Sequence, residues 1–141
     1  MNHRRDAETQ STDESILTGQ VIGACIEVHR HLGPGLVESI YEECLCDELK
    51  ARGIAFARQQ AIPIRYKGRQ LCGTYRIDVV VDDELIIEIK AVEQLLPIHD
   101  AQLLTYLKLT PYELGLLINF NVPLLRQGIR RLAHSKQKKL F

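Results

Sequence analysis

Five acids and a lysine lie within residues 77–92, a segment made largely of isoleucine, valine and leucine. They are Asp78, Asp82, Asp83, Glu84, Glu88 and Lys90. Acidic residues are depleted in strands and are almost never buried without a partner. Some of these acids should therefore belong to a turn, and the others should be placed for chemistry.

Glu88 and Lys90 are the first candidates for chemistry. Residues two apart on a strand share a face, so Glu88 and Lys90 project together, on the opposite side from Ile89. A carboxylate beside an ammonium is either an ion pair on an exposed sheet or a metal ligand next to a group that activates water. This pair alone leaves both interpretations open.

The position of Asp78 depends on the length of the turn that joins its strand to the strand of Glu88. A two-residue turn at Asp82-Asp83 points Asp78 away from Glu88, whereas a three-residue turn sets the two acids directly opposite each other. Opposed anions lie roughly 4.5–5.5 Å apart at Cβ and repel unless a cation or a proton lies between them. Carboxylate oxygens with open water positions suit Mg²⁺ or Mn²⁺.

Two helices supply further polar candidates. On the helix predicted at 36–52, Glu38 shares its stripe with Tyr41, so Glu38 is expected to point inward and to need a partner. Glu42 competes for that role, and Glu43 should face solvent. On the helix predicted from Pro97 to about Leu109, Gln102 and Tyr106 form a polar pair four residues apart, beside His99. An ordinary surface pair is the alternative there.

The elements that position these residues alternate between helical and strand periods. A capping box at Ser11 and Glu14 predicts the start of a first helix, which "LGPG" at 32–35 ends. Strands are expected at about 56–66, 70–81 and 84–92, and a buried strand at 114–120. "PLLRQGIRRLAH" is ambiguous between a short helix and an edge strand. This order predicts an α/β domain at 12–133, between a disordered tail at 1–11 and a basic tail at 134–141.

Bulk composition limits the class of protein. The 141 residues are 45% hydrophobic, and no apolar run approaches the roughly 18 residues of a membrane span. The polar start of the sequence shows no leader, so a cytoplasmic protein is expected. Its four cysteines form no CxxC pair, which favours reduced thiols over a metal site. The net charge is zero, yet every charged residue after Glu113 is basic. These basic residues either bind phosphates or form a solvated tail.

A family resemblance joins these pieces. "GLVESIY", with Gly35, Glu38 and Tyr41, follows "VHRHLGPG" and resembles the signature of the GxxExxY protein family, which is grouped with the PD-(D/E)xK nuclease superfamily. Asp78, then Glu88-Ile89-Lys90, then Gln102-x-x-x-Tyr106 follow in order. The resemblance covers about residues 14–133. Ile77 stands where the superfamily name implies a proline.

The resemblance implies a restriction-endonuclease-like core, in which helices flank a mixed central sheet made of a β-meander and a further strand. It implies that Asp78, Glu88 and Glu38 bind Mg²⁺ or Mn²⁺, and that Lys90 orients or activates the attacking water. Gln102 and Tyr106 resemble the QxxxY motif of RecB-like nucleases and would lie near substrate with Tyr41. His29 is either a further metal ligand or a structural histidine.

The leading hypothesis is a metal-dependent nuclease that hydrolyses phosphodiester bonds, with DNA as the expected substrate. The alternative is an inert module on the same fold that binds nucleic acid or protein. No membrane partner is expected, and a homodimer is left open. If the acids are only surface charge, Glu38 should be exposed.

Overall fold

A computed structural model describes the backbone of residues 3–136 and the side chains of 15–72 and 75–136. In chain order, the elements are α1 (His3–Leu32), α2 (Glu38–Ala51), β1 (Phe56–Tyr66), β2 (Arg69–Val81), β3 (Leu85–Lys90), α3 (Pro97–Leu109), β4 (Leu114–Asn119), a 3₁₀ turn (Leu125–Gly128) and β5 (Ile129–Ala133). The helix start predicted at Ser11 is wrong, since α1 begins at His3, inside the segment expected to be a tail. The ambiguous segment after Pro123 forms both the 3₁₀ turn and a strand.

The five strands form one mixed sheet in the order β1-β2-β3-β4-β5. Strands β1 to β3 are an antiparallel meander, β4 runs parallel to β3, and β5 returns antiparallel to β4. Helix α3 lies between β3 and β4 in the chain, as a parallel connection requires. The predicted α/β fold class, with helices flanking a restriction-endonuclease-like sheet, is confirmed.

Two apolar clusters, one on each face of the sheet, hold the layers together. Ile87 and Ile89 of β3 pack with residues of α1 and α2, including Val21 and Leu45. Ile86 of β3 belongs to the other cluster, which contains Leu103, Tyr106 and Leu107 of α3. Because side chains alternate along a strand, Glu88 and Lys90 belong with Ile86 on the α3 face, and not with Ile87 and Ile89.

The turn between β2 and β3 has three residues. Val81 pairs with Leu85, which leaves Asp82, Asp83 and Glu84 in the turn. Asp82 and Asp83 have left-handed backbone angles, with φ of 51° and 53°, and the Glu84 N–H donates to the Val81 carbonyl at 3.0 Å. Aspartate tolerates this conformation better than most residues, so the adjacent short acids account for the bend.

Among residues 3–136, no helix is both long and apolar enough to cross a membrane. The four cysteines are free thiols. The pKa of the Cys25 thiol is raised to about 12 by burial, which keeps it protonated at neutral pH.

Candidate active site

Asp78 and Glu88 meet across β2 and β3, as the three-residue turn predicts. Pairing of the two strands ends with Val79 opposite Ile87, and the two acids follow directly. The Asp78 N–H donates to Glu88 Oε1 at 3.1 Å, and the Ile89 N–H donates to Asp78 Oδ2 at 2.8 Å. Each carboxylate thus accepts from the backbone of the opposite strand, which fixes both side chains at the point where regular pairing ends.

Burial makes this pair of acids electrostatically unfavourable. Glu88 is only 4% exposed, and Asp78 is half-buried. Burial, followed by the charge of Asp78, raises the pKa of Glu88 to about 8. Burial likewise raises the pKa of Asp78, while the Ile89 N–H opposes that shift. Two bare anions are therefore disfavoured here, and either a proton or a cation relieves the repulsion.

Lys90, Gln102 and Tyr106 form a hydrogen-bonded row beside these acids. Lys90 Nζ donates to Gln102 Oε1 at 3.2 Å, and Gln102 Nε2 donates to Tyr106 Oη at 3.0 Å. Tyr106 is buried, and its pKa is raised by burial and by the charge of Glu88. The alternative of an ordinary surface pair on α3 is wrong, because the pair is joined to the lysine of β3. His99 does not join this row. Its Nδ1 atom accepts a hydrogen bond from the Leu96 N–H and so caps the start of α3.

An open groove of about 340 Å³ adjoins this row. Its walls contain Gln102 and Tyr106 of α3 together with Tyr75 of β2 and Ile98. Tyr75 is 55% exposed, and its ring lies 5.9 Å from that of Tyr106. The groove therefore gives a large ligand access to the polar row.

The helical acids exchange the roles that the sequence predicts for them. Glu38 is exposed, because it is the first residue of α2 and projects where the buried stripe ends, whereas Glu42 is only 6% exposed. Arg58 donates twice to Glu42 Oε2, at 2.8 and 3.1 Å, and Gln59 Nε2 donates to Glu42 Oε1 at 2.7 Å. The inward orientation predicted for Glu38 is thus wrong, and Glu42 is the acid with the buried partners.

Glu38 nevertheless lies near the site. Its charge contributes to raising the pKa of Glu88, as the smallest of the contributing effects. Exposure of Glu38 is what we expect if the acids are only surface charge. The burial of Glu88 argues against that interpretation for the acids as a group. Glu38 is therefore an exposed acid whose charge still reaches the buried carboxyl of Glu88.

Tyr41 has a structural position, which corrects its predicted contact with substrate. The residue is 0% exposed, and its ring stacks on Phe120 with centroids 4.5 Å apart. Its hydroxyl donates to the Gly33 carbonyl at 2.6 Å and accepts from the Leu36 N–H at 3.2 Å. Gly35, with φ of 103°, has a backbone that glycine adopts readily. Tyr41 thus fastens the loop that precedes α2 and sets where Glu38 begins the helix.

His29 is also structural. Its Nε2 donates to the Val122 carbonyl at 2.8 Å, and its ring lies 6.4 Å from that of Phe120. The nitrogen that faces Val122 is therefore occupied by the fold. The interpretation of His29 as a structural histidine fits these contacts.

The residues present suit a hard divalent cation held by few protein ligands. In the part of the chain that the structure describes, no group of three or more His, Cys, Asp or Glu side chains is arranged to hold a metal, so Glu38 does not complete a set with Asp78 and Glu88. Mg²⁺ is often bound by one or two carboxylates, with waters and substrate phosphates as its other ligands. Glu88 Oε2 accepts no hydrogen bond from the described residues, and Asp78 Oδ1 accepts only a long one of 3.4 Å from Gln59. One oxygen of each acid is therefore available.

Sequence reasoning missed Arg58 and Gln59. Gln59 donates to both Glu42 and Asp78, and its backbone has a φ of 51°, which is uncommon for a residue other than glycine. Nothing in the local pattern of β1 marks either residue, because their partners lie on α2 and β2. Only the folded structure shows that these elements lie close enough for the side chains to form hydrogen bonds.

Comparison with known proteins gives one match. A family model described as the PD-(D/E)XK nuclease superfamily matches residues 15–132. Neither the curated proteins nor the solved structures contain a significant match. The finer assignment to the GxxExxY family stays a prediction. The match spans most of the 141 residues and includes the acids, the lysine and the polar row, and the chain therefore belongs to the PD-(D/E)XK nuclease superfamily.

Proposed function

We propose that this protein is a Mg²⁺- or Mn²⁺-dependent nuclease that hydrolyses phosphodiester bonds in DNA. The observation that carries the proposal is the pair formed by Asp78 and Glu88, in which backbone hydrogen bonds hold a half-buried acid beside a buried one. Such a pair costs folding free energy unless it binds a cation or a proton. Membership of a nuclease superfamily supports a nucleic-acid substrate in general.

Each residue of the site has a distinct part in this proposal. Asp78 and Glu88 would hold the cation, which when bound lowers the pKa of a water molecule and offsets charge on the scissile phosphate. Lys90 lies on the same face of β3 and carries a positive charge that can orient the attacking water or stabilise charge on the phosphate. Glu38, which is exposed, would act on the cation through its hydration shell.

Gln102 and Tyr106 would guide the substrate, and Gln102 would also position Lys90. Gln102 holds the ammonium of Lys90 through its Oε1 atom and also lines the open groove. Fixing a catalytic ammonium by a hydrogen bond reduces the reorganisation needed when charge develops on the phosphate. We therefore assign Gln102 as a positioning residue and the groove as the approach of the DNA strand.

Incubation of linear and circular DNA with Mn²⁺ tests this function. The wild-type protein should cleave DNA, and Lys90→Ala should lower the rate by about 10²-fold or more, the range typical of a single catalytic group. Lys108→Ala is the matched control, because Lys108 is an exposed lysine of α3 and should leave the rate unchanged. Equal cleavage by wild type and Lys90→Ala would remove Lys90 from the mechanism. Absence of cleavage by both would favour the inert binding module.

A further inference from the structure

Charge is separated sharply along the chain, although the net charge is zero. Residues 56–77, which form β1 and most of β2, contain five cations and no acid. The following residues 78–93 contain six acids and one lysine. A polyanion is therefore repelled by the segment that contains the candidate active site and attracted by the hairpin that precedes it.

Within the described part of the chain, three of the five cations have neither an ion pair nor a side-chain hydrogen bond. Arg58 is bound to Glu42, and Arg76 donates to the Gln59 carbonyl. The remaining three, Arg65, Lys67 and Arg69, are exposed at the end of the hairpin. We call residues 65–69 the hairpin tip. Because the fold does not use these charges, they are available to a ligand.

The tip carries its charges on both faces. Tyr66 pairs with Arg69, whereas the neighbouring Arg65 pairs with Gln70, so the two arginines project from opposite sides of the ribbon. Lys67 lies in the turn, where it has a φ of 50° and its ammonium is 5.3 Å from the centre of the Tyr66 ring. A flat surface would meet only one of the two arginines. A groove with phosphates on both walls would meet both.

The dimensions fit duplex DNA. A two-stranded ribbon fits the major groove, which is about 12 Å wide. Arg69 and Asp78 are nine positions apart along β2, which corresponds to about 30 Å at roughly 3.3 Å per residue. That distance matches about nine base pairs at roughly 3.4 Å per pair.

We propose that the hairpin tip enters the major groove of duplex DNA and binds phosphates about nine base pairs from the phosphate at the acid pair. This inference rests on the proposed nuclease function, which supplies DNA as the substrate. It assigns the affinity for DNA to a site separate from the chemistry. The acid-rich site then needs only to hold the cation and the scissile phosphate.

Binding of two DNA lengths tests the proposal. In the Lys90→Ala background, which slows cleavage, and without added Mn²⁺, fluorescence anisotropy would compare a looped duplex of about 6 base pairs with one of roughly 20. The longer duplex should bind at least about tenfold tighter, because only it reaches the tip from the acid pair. Replacement of Arg65, Lys67 and Arg69 by alanine should remove that advantage and reduce the salt dependence of binding by about three phosphate contacts.

The matched control replaces three other exposed cations, Arg30, Lys50 and Lys108, by alanine and loses the same charge. The control should keep the preference for the longer duplex. An unchanged preference in the tip variant would overturn the proposal, and so would an equal loss in the control. If the affinity for single-stranded DNA of the same length depends equally on the tip, then the tip does not bind in the major groove.

The outcomes separate this inference from the function on which it rests. Cleavage by the wild-type protein without any dependence on duplex length would contradict the hairpin proposal and leave the nuclease function standing. A length preference that depends on the tip, without cleavage by the wild type, would contradict the nuclease function and leave the DNA contact standing.

Discussion

The carboxyl group of Glu88 accepts a hydrogen bond from the backbone of Asp78, 3.1 Å away, and the two side chains have like charges whenever both are ionised. The fold thus holds the two acids together although their charges repel each other. Because the Asp78 N–H is used by Glu88, the point where β2 stops pairing with β3 and the position of the acid pair are fixed by the same contact. The cost of this arrangement is the basis of the first prediction.

The stability of the metal-free protein should fall as pH rises from about 4.5 to about 8. The pKa of Glu88 is raised in the folded state from 4.5 to about 8, so the folded state binds more protons than the unfolded state in this window. The unfolding free energy then decreases with pH, by up to a few kcal/mol, and levels off above pH 8. Denaturation of wild type and Glu88→Gln across this range would measure it.

Glu88→Gln is the matched variant, because its amide oxygen can still accept from the Asp78 N–H while the titrating group is gone. The difference in stability between the two proteins should grow in favour of Glu88→Gln as pH rises. A difference that stays constant with pH would show that Glu88 is not perturbed by burial and by Asp78.

Gln102 should act on catalysis through Lys90. Gln102→Leu removes the acceptor of the Lys90 ammonium, so kcat should fall by about tenfold. In a Lys90→Met background, the same change should lower kcat no further, because the group that Gln102 positions is absent. Steady-state cleavage assays of the four proteins form the cycle. Additive losses in the double variant would contradict a positioning role.

Glu38 and Glu42 should separate activity from stability. Glu42→Gln weakens the bonds to Arg58 and Gln59, so we expect a loss of about 1–3 kcal/mol in unfolding free energy. Glu38→Gln changes an exposed side chain and should stay within about 0.5 kcal/mol of wild type while lowering Mn²⁺-dependent cleavage. Chemical denaturation and cleavage assays on both variants would decide. Loss of stability in Glu38→Gln alone would contradict the exchange of roles.

Tyr41 should contribute to folding and not to contact with DNA. Tyr41→Phe leaves the Gly33 carbonyl and the Leu36 N–H without their partner, which should cost about 1–3 kcal/mol. Tyr66→Phe is the control for stability, since Tyr66 is 59% exposed and the change should stay within about 0.5 kcal/mol. Chemical denaturation measures both. A stable Tyr41→Phe protein with weakened DNA binding would restore the original prediction for Tyr41.

The local pattern reduced the acid pair to one question of turn length, but it did not place the helical acids. Two adjacent aspartates fit a two-residue or a three-residue turn between β2 and β3, and only the longer turn, which the structure shows, sets Asp78 opposite Glu88. The orientation of Glu38 depends on where α2 begins and on how far the sheet extends beneath it. Helical periodicity gives the angle of a side chain but not the end of the surface that covers it.

Local sequence patterns also could not predict where α1 starts or which residues contact Asp78. The capping box at Ser11 competes with continued helix, and backbone periodicity does not decide between the two. Gln59 approaches Asp78 through an unusual backbone angle that no propensity predicts. The QxxxY pair could be found by its spacing, whereas its bond to Lys90 required the packing of α3 on β3.

Binding of Mn²⁺ to the isolated protein tests the central claim most directly, because it needs no assumption about the nucleic acid. Calorimetric titration should find a cation site in the wild type, with affinity that falls at least about tenfold in Asp78→Asn, the equivalent of 1.4 kcal/mol. Glu43→Gln removes an exposed acid of α2 and should bind as the wild type does. Equal Mn²⁺ affinity in the wild type and Asp78→Asn would contradict the assignment of the acid pair as the metal site.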